Sequence, residues 1–341
     1  MNNDYRIKTS VDDEVLSWEA DLQPTDQPLP SVAELGRAAE AEGLEMRIVA
    51  IPKEGPCRGF TLMRRSGRTF RRIWLDTLAP VGADYTDYNH LYCRDKEQLP
   101  ALIDALRCEA SKQKVDALHL DKMVFDAAPD SALGFQRETT RIFLAANDAK
   151  GWNAILTKKS LKRNRNKAKR QMEYRCEHHL EVGDRALLTE LGEMHKKRWN
   201  ADGTTSAFED PRRIDAYAAR PDNKLLTVLR DGERFVAAHW GMIFGKTLLW
   251  HTPVINLDDR AVAPLQILLF ETATWCRDNG MEILDFGLGD DPYKYRFSNE
   301  ERELHTLLAP ISMKARLTKV AVDHVDPDRV RAVMNRFKKS T

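Results

Sequence analysis

The second half of the chain has the clearest alternation of hydrophobic and polar positions. Three apolar runs, at 225–230, 233–244 and 247–255, are separated by the dipeptides Asp231-Gly232 and Gly245-Lys246. Two-residue turns of this kind join neighbouring antiparallel strands, because glycine accepts the positive φ that the turn needs. The pattern therefore predicts a three-stranded meander.

A helix and a further strand follow the meander. Residues 264–278 have helical spacing and end at Asn279-Gly280, and 283–286 is a short apolar run. A helix that joins two strands of one sheet makes them parallel, so strands 247–255 and 283–286 should run in the same direction. The start of the helix then lies where the first strand ends, and its backbone N–H groups favour an anion. We expect a ligand cleft between these two strands, which should diverge.

The first half mixes helices and strands. It opens with a polar segment containing three prolines, 1–30, which is predicted to be irregular, and continues with a helix from Ser31 to Gly43. Its other predicted elements are strands at 45–51, 60–63, 69–75, 85–92, 117–120 and 140–145 and a helix at 99–110. The second half adds helices at 151–174 (broken near Ser160), 185–199 and 211–219, and a strand at 304–309. We predict an α/β chain with a mixed (α+β) sheet, divided into domains 1–147 and 148–311 and a helical tail, 312–341.

The composition of the chain mainly excludes certain classes of protein. The 341 residues have a net charge of +1 and are 42% hydrophobic and 31% charged, which argues against a disordered polyelectrolyte and against general attraction to nucleic acid. No apolar stretch approaches the roughly 18 residues of a membrane-spanning helix. The start has no basic and apolar leader, and the five cysteines include no Cys-x-x-Cys pair. We expect a cytoplasmic protein with reduced thiols and no metal site.

One stretch, 158–175, is strongly basic. It holds nine lysines and arginines against one acidic residue, Glu173. Like charges repel one another along a helix, so the stretch predicts an anionic ligand, with Lys162 and Arg163 among its contacts. Phosphates of a coenzyme, a nucleotide-sugar, a phosphorylated lipid carrier or RNA would all suit it. The alternative is a solvated basic face.

The run Asp285-Phe-Gly-Leu-Gly-Asp-Asp-Pro-Tyr-Lys-Tyr-Arg-Phe297 resembles the signature of the CelD-like acetyltransferases. These belong to the GNAT N-acetyltransferase superfamily and are related to the FemAB peptidyltransferases. The basic run after Trp152 and the motif His195-Lys-Lys-Arg-Trp199 are similar as well, and the resemblance covers residues 150–310. It implies two tandem GNAT-like domains in a FemAB-like architecture. It also implies transfer of an acyl group, above all acetyl, from acyl-CoA to an amine or hydroxyl of a polysaccharide- or envelope-related acceptor.

The resemblance also identifies where the coenzyme should bind. Many GNAT proteins hold the pyrophosphate in a glycine-containing loop, whereas the corresponding stretch here, 259–266, has no glycine. Backbone groups of Ala263, Pro264, Leu265 and Gln266 are the expected contacts for acetyl-CoA or another acyl-CoA. Two alternatives stay open, a FemAB-like transferase that uses aminoacyl-tRNA and a non-catalytic nucleic-acid-binding module on a degenerate GNAT scaffold.

Acyl transfer needs a base, a polarised carbonyl and a proton for the leaving sulfur. Asp285, at the end of a buried strand, is a candidate base or acceptor-orienting group, and the alternative is that it caps the glycine loop. Tyr293 is a candidate proton donor and Lys294 a candidate ligand for an anionic group, against the alternatives of a packed tyrosine and a solvated lysine. Arg198 and Trp199 are predicted to form an acceptor surface, since an indole stacks well on a sugar ring, although Trp199 would also suit the core.

The meander predicts which histidine meets the cleft. With Gly245-Lys246 as the turn, Trp240 should pair with His251 on one face of the sheet, and His239 and Thr252 should share the other face. We prefer His251 as the base because its strand borders the predicted cleft, and we place His239 and Trp240 among the acceptor contacts. The alternative for His251 is a histidine that is hydrogen-bonded within the sheet.

Overall fold

A computed structural model describes residues 4–22, 31–70, 73–81, 87–93, 95–125, 128–180, 185–201, 203–219, 223–289 and 291–324. Its helices are α1 (Asp13–Leu22), α2 (Val32–Ala41), α3 (Leu99–Lys112), α4 (Asn153–Leu156), α5 (Lys159–Gln171), α6 (Arg185–Ala201), α7 (Arg212–Ala218), α8 (Pro264–Asp278), α9 (Pro292–Phe297) and α10 (Met313–His324). Its strands are β1 (Arg6–Lys8), β2 (Met46–Ile51), β3 (Gly59–Phe70), β4 (Ile73–Pro80), β5 (Tyr92–Cys93), β6 (Ala117–Met123), β7 (Gln136–Leu144), β8 (Tyr174–His179), β9 (Lys224–Asp231), β10 (Arg234–Phe244), β11 (Thr247–Ile255), β12 (Ile283–Asp285) and β13 (Glu300–Pro310). No helix in these ranges is both long and apolar enough to cross a membrane.

All of these strands belong to one mixed sheet. Their order is β1-β2-β3-β4-β6-β13-β7-β12-β11-β10-β9-β8, and β5 pairs with β3 at the side. Two neighbouring pairs are parallel, β4 with β6 and β11 with β12, and the other pairs are antiparallel. The predicted mixed α/β architecture is therefore confirmed.

The strand order has an internal symmetry. In each half, three antiparallel strands are followed by a crossover helix (α3 or α8) and a strand parallel to the third (β6 or β12). The next strand of each half then pairs with a strand of the other half: β7 lies beside β12, and β13 lies beside β6. The two halves thus exchange a strand, and the sheet is continuous across the predicted boundary at 147. The boundary itself remains a prediction.

Helices cover both faces of the sheet in the second half. On one face, α8 and α5 bury residues such as Leu161 and Ile267 against Trp250 of β11. On the other face, α6 and α7 bury Leu188 and Tyr217 against β10. These two layers leave the end of β11 between α6 on one side and the tip of α8 on the other.

Several boundaries follow from local chemistry and confirm the prediction. Ser31 caps α2, because its hydroxyl accepts the Glu34 N–H at 3.1 Å while the Glu34 carboxylate accepts the Ser31 N–H at 3.0 Å. Gly43, with a φ of 67°, ends the turn that follows α2. The break near Ser160 separates α4 from α5, and α8 begins at Pro264 as predicted.

Other predictions are wrong. Segment 1–30 is not irregular throughout, because its described part holds β1 and α1; Val15, Trp18 and Leu22 have helical spacing, and the prolines that suggested a loop lie after them. The predicted strand 69–75 spans the end of β3 and the start of β4, which form a long polar hairpin. Of the predicted strand 85–92, positions 85 and 86 lie outside the described residues, and only β5 is a strand. The predicted helix 151–174 ends earlier, and β8 follows it.

Candidate active site

The parallel strands β11 and β12 part soon after they meet. Residues 247–249 of β11 pair with 283–285 of β12, where β12 ends. Strand β11 continues to Ile255 beside β10, whereas the chain after β12 turns away through 286–289. The predicted parallel pair and the cleft at its divergence are therefore present, because β11 outruns its parallel partner by six residues (249 to 255).

A β-bulge shapes the strand beside this cleft. Trp240 of β10 lies opposite Thr252 rather than His251, and Met242 lies opposite Leu249, so two residues of β11 face the single residue Gly241. The predicted pairing of Trp240 with His251 is wrong by one residue. An inserted residue leaves no mark in a pattern of alternation, so the sequence did not show it.

The bulge sets which way each ring points. His251 Nε2 lies 3.2 Å and Thr252 Oγ1 lies 3.4 Å from the hydroxyl of Tyr217 on α7, so both side chains are on the α7 face. Trp250 points to the opposite face, where it stacks on His239 with ring centres 4.1 Å apart. The predicted sharing of a face by His239 and Thr252 is therefore wrong.

A cavity of about 280 Å³ opens where the strands part. It brings together six of the predicted site residues, which come from four elements: Arg198, Trp199, His251, Leu265, Tyr293 and Lys294. Its other lining residues are His195, Trp250, Thr252, Pro253, Phe286, Leu288, Asp291 and Pro292. The cavity combines an aromatic and aliphatic wall with several titratable groups, as ligand sites commonly do.

Four predicted acceptor contacts lie elsewhere. His239 and Trp240 are 0% exposed and belong to the two cores, since their side chains fill the sheet faces under α8 and α7. Lys162 and Arg163 are exposed on α5, and Arg163 lines a separate depression. None of the four lines the cavity beside β11.

Asp285 holds the loop rather than facing the cavity. It is 0% exposed, and its carboxylate accepts the Tyr88 hydroxyl at 2.7 Å and the Gly287 N–H at 2.9 Å and forms an ion pair with Arg302. The capping alternative describes this geometry, because the hydrogen bond to Gly287 closes the turn after β12. The geometry gives no support to Asp285 as the base.

His251 has an acidic neighbour from the first half of the chain. Its Nδ1 lies 3.3 Å from Asp87 Oδ1, and Asp87 Oδ2 accepts the Leu288 N–H at 3.1 Å. Burial alone would raise the pKa of Asp87, but His251, the Leu288 N–H and Lys294 together hold that pKa below its ordinary value. Sequence analysis missed Asp87, because it is 164 positions from His251 and nothing in the predicted strand 85–92 marks it as a site residue.

His195 is a second histidine of the cavity that the prediction did not include. On α6, its Nδ1 lies 2.8 Å from the Ser206 hydroxyl, which also accepts the Phe208 N–H at 3.0 Å. Burial, with the nearby charges of Arg198 and His251, lowers the pKa of His195 to about 4, so the ring is neutral at pH 7. The spacing of His195, Arg198 and Trp199 at i, i+3 and i+4 on one helix was the available signal.

Tyr293 and Lys294 approach the cavity from α9. Burial, followed by the charge of Asp291, raises the pKa of Tyr293 above its ordinary value, so the phenol keeps its proton. Lys294 is 3% exposed, and its Nζ donates to the carbonyl oxygen of Leu288; burial lowers the pKa of this amine despite the acidic groups around it. Lys294 thus anchors the loop after β12, and a ligand anion would compete with a backbone carbonyl for it.

The tip of α8 faces the cavity with few donors. Pro264, its first residue, has no N–H, and the Gln266 N–H donates to Ala263 O at 3.0 Å. The Gln266 side chain accepts a hydrogen bond from Asn164 at 2.8 Å. Of the four predicted coenzyme contacts, only Leu265 lines the cavity.

Comparison with known proteins agrees with this fold. Residues 157–295 match the family model of an acetyltransferase (GNAT) domain. The crystal structure of FemX superimposes with a TM-score of 0.59 at 13% identity, covering 88% of this chain and 96% of FemX. The chain has the GNAT fold.

Two further solved structures share this fold over most of the chain. A tandem GNAT protein from the clavulanic acid biosynthesis pathway has a TM-score of 0.55 at 12% identity, covering 90% of this chain and 99% of its own. The C-terminal domain of a putative lysylphosphatidylglycerol synthetase from Agrobacterium fabrum has a TM-score of 0.54 at 13% identity, with coverages of 89% and 94%. No curated protein matches the sequence. At such identities the likeness concerns the fold alone.

Proposed function

We propose that the protein moves an acyl group, above all acetyl, from acyl-CoA to an amine or hydroxyl in the cavity between β11 and the loop after β12. The single observation that carries the proposal is the parting of two parallel strands beside the contact between His251 and Asp87. Beyond residue 249 the edge of β11 is no longer covered by β12, so its backbone can pair with the amide groups of an extended thioester arm. Leu265 and Phe286 supply apolar walls for that arm.

His251 is the proposed base, and Asp87 is its positioning residue. A carboxylate beside Nδ1 favours the tautomer with the proton on Nδ1, which leaves the Nε2 lone pair to take a proton from the acceptor. The Tyr217 hydroxyl lies 3.2 Å from Nε2, so an acceptor hydroxyl or amine must replace this contact before Nε2 can take its proton. The lowered pKa of Asp87 keeps this carboxylate charged, so it stabilises the imidazolium that forms.

His195 suits a different part of the reaction. Its pKa of about 4 lies far below neutrality, and a base works best when its pKa is near the working pH. The ring instead offers a neutral nitrogen that orients the acceptor. Tyr293, whose raised pKa keeps the phenol protonated, is the proposed donor of the proton to the leaving sulfur.

The rim of the cavity suits a sugar-like acceptor. Trp199 is 36% exposed, and the Arg198 guanidinium lies 5.5 Å from its ring centre. An exposed indole beside a cation stacks on the apolar face of a sugar ring and leaves the cation for hydroxyl or acidic groups. This supports the polysaccharide- or envelope-related acceptor implied by the CelD-like resemblance.

The test measures thiol release from acetyl-CoA with a panel of amino sugars as acceptors. We expect His251→Ala to lower kcat by about 10²-fold or more, and Asp87→Asn to lower kcat by a smaller factor, with little change in the KM of acetyl-CoA. His179→Ala is the matched control, because His179 lies on the edge strand β8 and pairs with Glu177. Unchanged turnover in His251→Ala would remove it from the mechanism, and the absence of any acyl-CoA effect on Tm would overturn the proposal.

Two alternatives keep specific support. The missing glycine loop and the basic helix α5 favour a FemAB-like enzyme that takes its acyl group from aminoacyl-tRNA, and incubation with charged tRNA in the same assay distinguishes this donor. A non-catalytic nucleic-acid-binding module is excluded by any turnover that depends on His251. Binding that weakens steeply with salt and has no turnover would favour it instead.

A further inference from the structure

A cationic depression lies beside the proposed active site. It has a volume of about 710 Å³, and four basic side chains and one hydroxyl line it: Lys158, Lys159, Ser160, Arg163 and Arg296. No carboxylate is among its described lining residues. We call this group of five residues the cationic depression.

The charges in this depression are poorly compensated. Among the described residues, no ion pair joins Lys158, Lys159 or Arg163 to an acidic side chain. The Lys158 amine donates to the Arg296 carbonyl at 2.6 Å, and Arg296 donates to the Ser160 hydroxyl at 2.6 Å, so two of the cations are fixed by neutral groups. Burial and the charge of Arg296 lower the pKa of Lys158 although Asp148 acts in the opposite sense, as expected where positive charges crowd together.

On another face of helix α5, a basic side chain does have an acidic partner. Arg165 turns toward α8, where it forms an ion pair with Glu271, a residue that is 7% exposed. That arginine therefore serves packing between α5 and α8. One basic residue of α5, Arg165, is therefore neutralised by an acidic partner, whereas within the described part of the chain the basic residues of the cationic depression are not. A uniformly solvated basic face would show no such difference.

The depression adjoins the cavity through α9 and α5. Helix α9 carries Tyr293 and Lys294 in the cavity and Arg296 in the depression, about 3 to 5 Å further along the helix axis. Asn164 of α5, next to Arg163, holds the Gln266 side chain at the tip of α8. The cavity, which Leu265 lines, and the depression therefore both lie beside the tip of α8.

We propose that the cationic depression binds the phosphate groups of the acyl donor, in place of the tip of α8. The inference rests on the proposed function. Pro264 has no N–H and the Gln266 N–H is already bonded, so the helix tip offers a pyrophosphate little. Arginine and lysine around a hollow bind phosphate through charge-assisted hydrogen bonds, and two guanidinium groups suit the separate phosphates of a nucleotide-linked thioester.

The experiment compares donors that share the thioester but differ in phosphates. Calorimetric titration measures Kd for acetyl-CoA and for S-acetylpantetheine, which has no phosphate, with the wild-type protein and with Lys159→Glu and Arg163→Glu. We expect each charge reversal to weaken acetyl-CoA binding about tenfold or more, as loss of a charge-assisted hydrogen bond does, and to leave S-acetylpantetheine binding unchanged. Arg170→Glu is the matched control, since it makes the same charge change two turns further along α5.

Each outcome decides something. Wild-type binding of acetyl-CoA that both variants leave within twofold overturns the phosphate site and leaves the proposed function standing. Equal weakening by Arg170→Glu shows only a general charge effect and also overturns the site. Variants that weaken the binding of tRNA but not of acetyl-CoA assign the depression to RNA. A wild-type protein that binds neither thioester overturns the proposed function as well.

Discussion

Arg302 and Asp285 form an ion pair at the centre of the continuous sheet, and its removal should be among the most damaging changes in the chain. The side chain of Asp285 is 0% exposed, and the side chain of Arg302 is 12% exposed. Arg302 lies on β13 and Asp285 ends β12, with β7 between these two strands. The pair therefore joins the exchanged strand to the strand that opens the cleft.

The structure sets the size of the effect. Removal of one partner from a buried pair leaves an uncompensated charge and costs about 3–5 kcal/mol in the free energy of unfolding. In Arg302→Met the carboxylate keeps two donors, Tyr88 at 2.7 Å and Gly287 N–H at 2.9 Å, so we expect about 3 kcal/mol, at the low end of that range. Asp285→Asn leaves a partly exposed guanidinium that water can reach, and should cost about 1–3 kcal/mol.

A double-mutant cycle followed by denaturant unfolding tests this reasoning. The double variant should be more stable than the sum of the single changes predicts, by about 1 kcal/mol or more, because the two side chains share one interaction. Lys246→Met removes an exposed ion pair with Glu282 near the same strands and should leave the unfolding midpoint unchanged. Additive single changes, or an Arg302→Met variant as stable as the wild type, would refute the account of a buried and coupled pair.

Two further predictions concern the bulge and the second histidine. Gly241→Ala should destabilise the protein and lower activity, because its Cβ would lie 2.7 Å from the Leu249 carbonyl opposite the bulge; a thermal midpoint equal to that of the wild type would contradict this. His195 titrates near pH 4 when folded and near 6.5 when unfolded, so the unfolded chain binds more protons in that window and stability falls as the pH drops through it. His195→Gln should therefore lose less stability than the wild type between pH 6.5 and 4, as measured by Tm across that range.

Local pattern was enough to predict the frame of the site. The turns Asp231-Gly232 and Gly245-Lys246, the bounds of α8 and the parallel pairing of β11 with β12 all follow from periodicity, turn residues and the handedness of crossovers. Each of these rests on residues that are close in sequence or on a rule that holds for any sheet. For that reason the position of the cleft was predictable although the likeness to solved structures is distant.

The chemistry inside the cleft was less accessible to sequence analysis. The bulge at Trp250 and His251 depends on one inserted residue that no alternation pattern marks. The carboxylate of Asp285 is of a type that can act as a base. Only its burial and its ion pair with Arg302 show that it holds the loop instead. Asp87 was predicted only as part of a strand at 85–92 and not as a site residue, and only the folded chain brings it to His251.

The exchange of strands brings residues of both halves of the chain to the proposed site. Strand β7 covers the edge of β12 that faces away from β11, and β13 brings Arg302 from the second half back toward the first.

The first half then supplies Asp87 to His251 and Tyr88 to Asp285, so two neighbouring residues of one segment support both the proposed base and the loop beside it. Because the loop carries Leu288, whose N–H binds Asp87, the acid that positions the histidine also fixes the wall of the cleft. The matched GNAT region, 157–295, contains His251 but neither Asp87 nor Tyr88, so the first half contributes residues to the proposed active site.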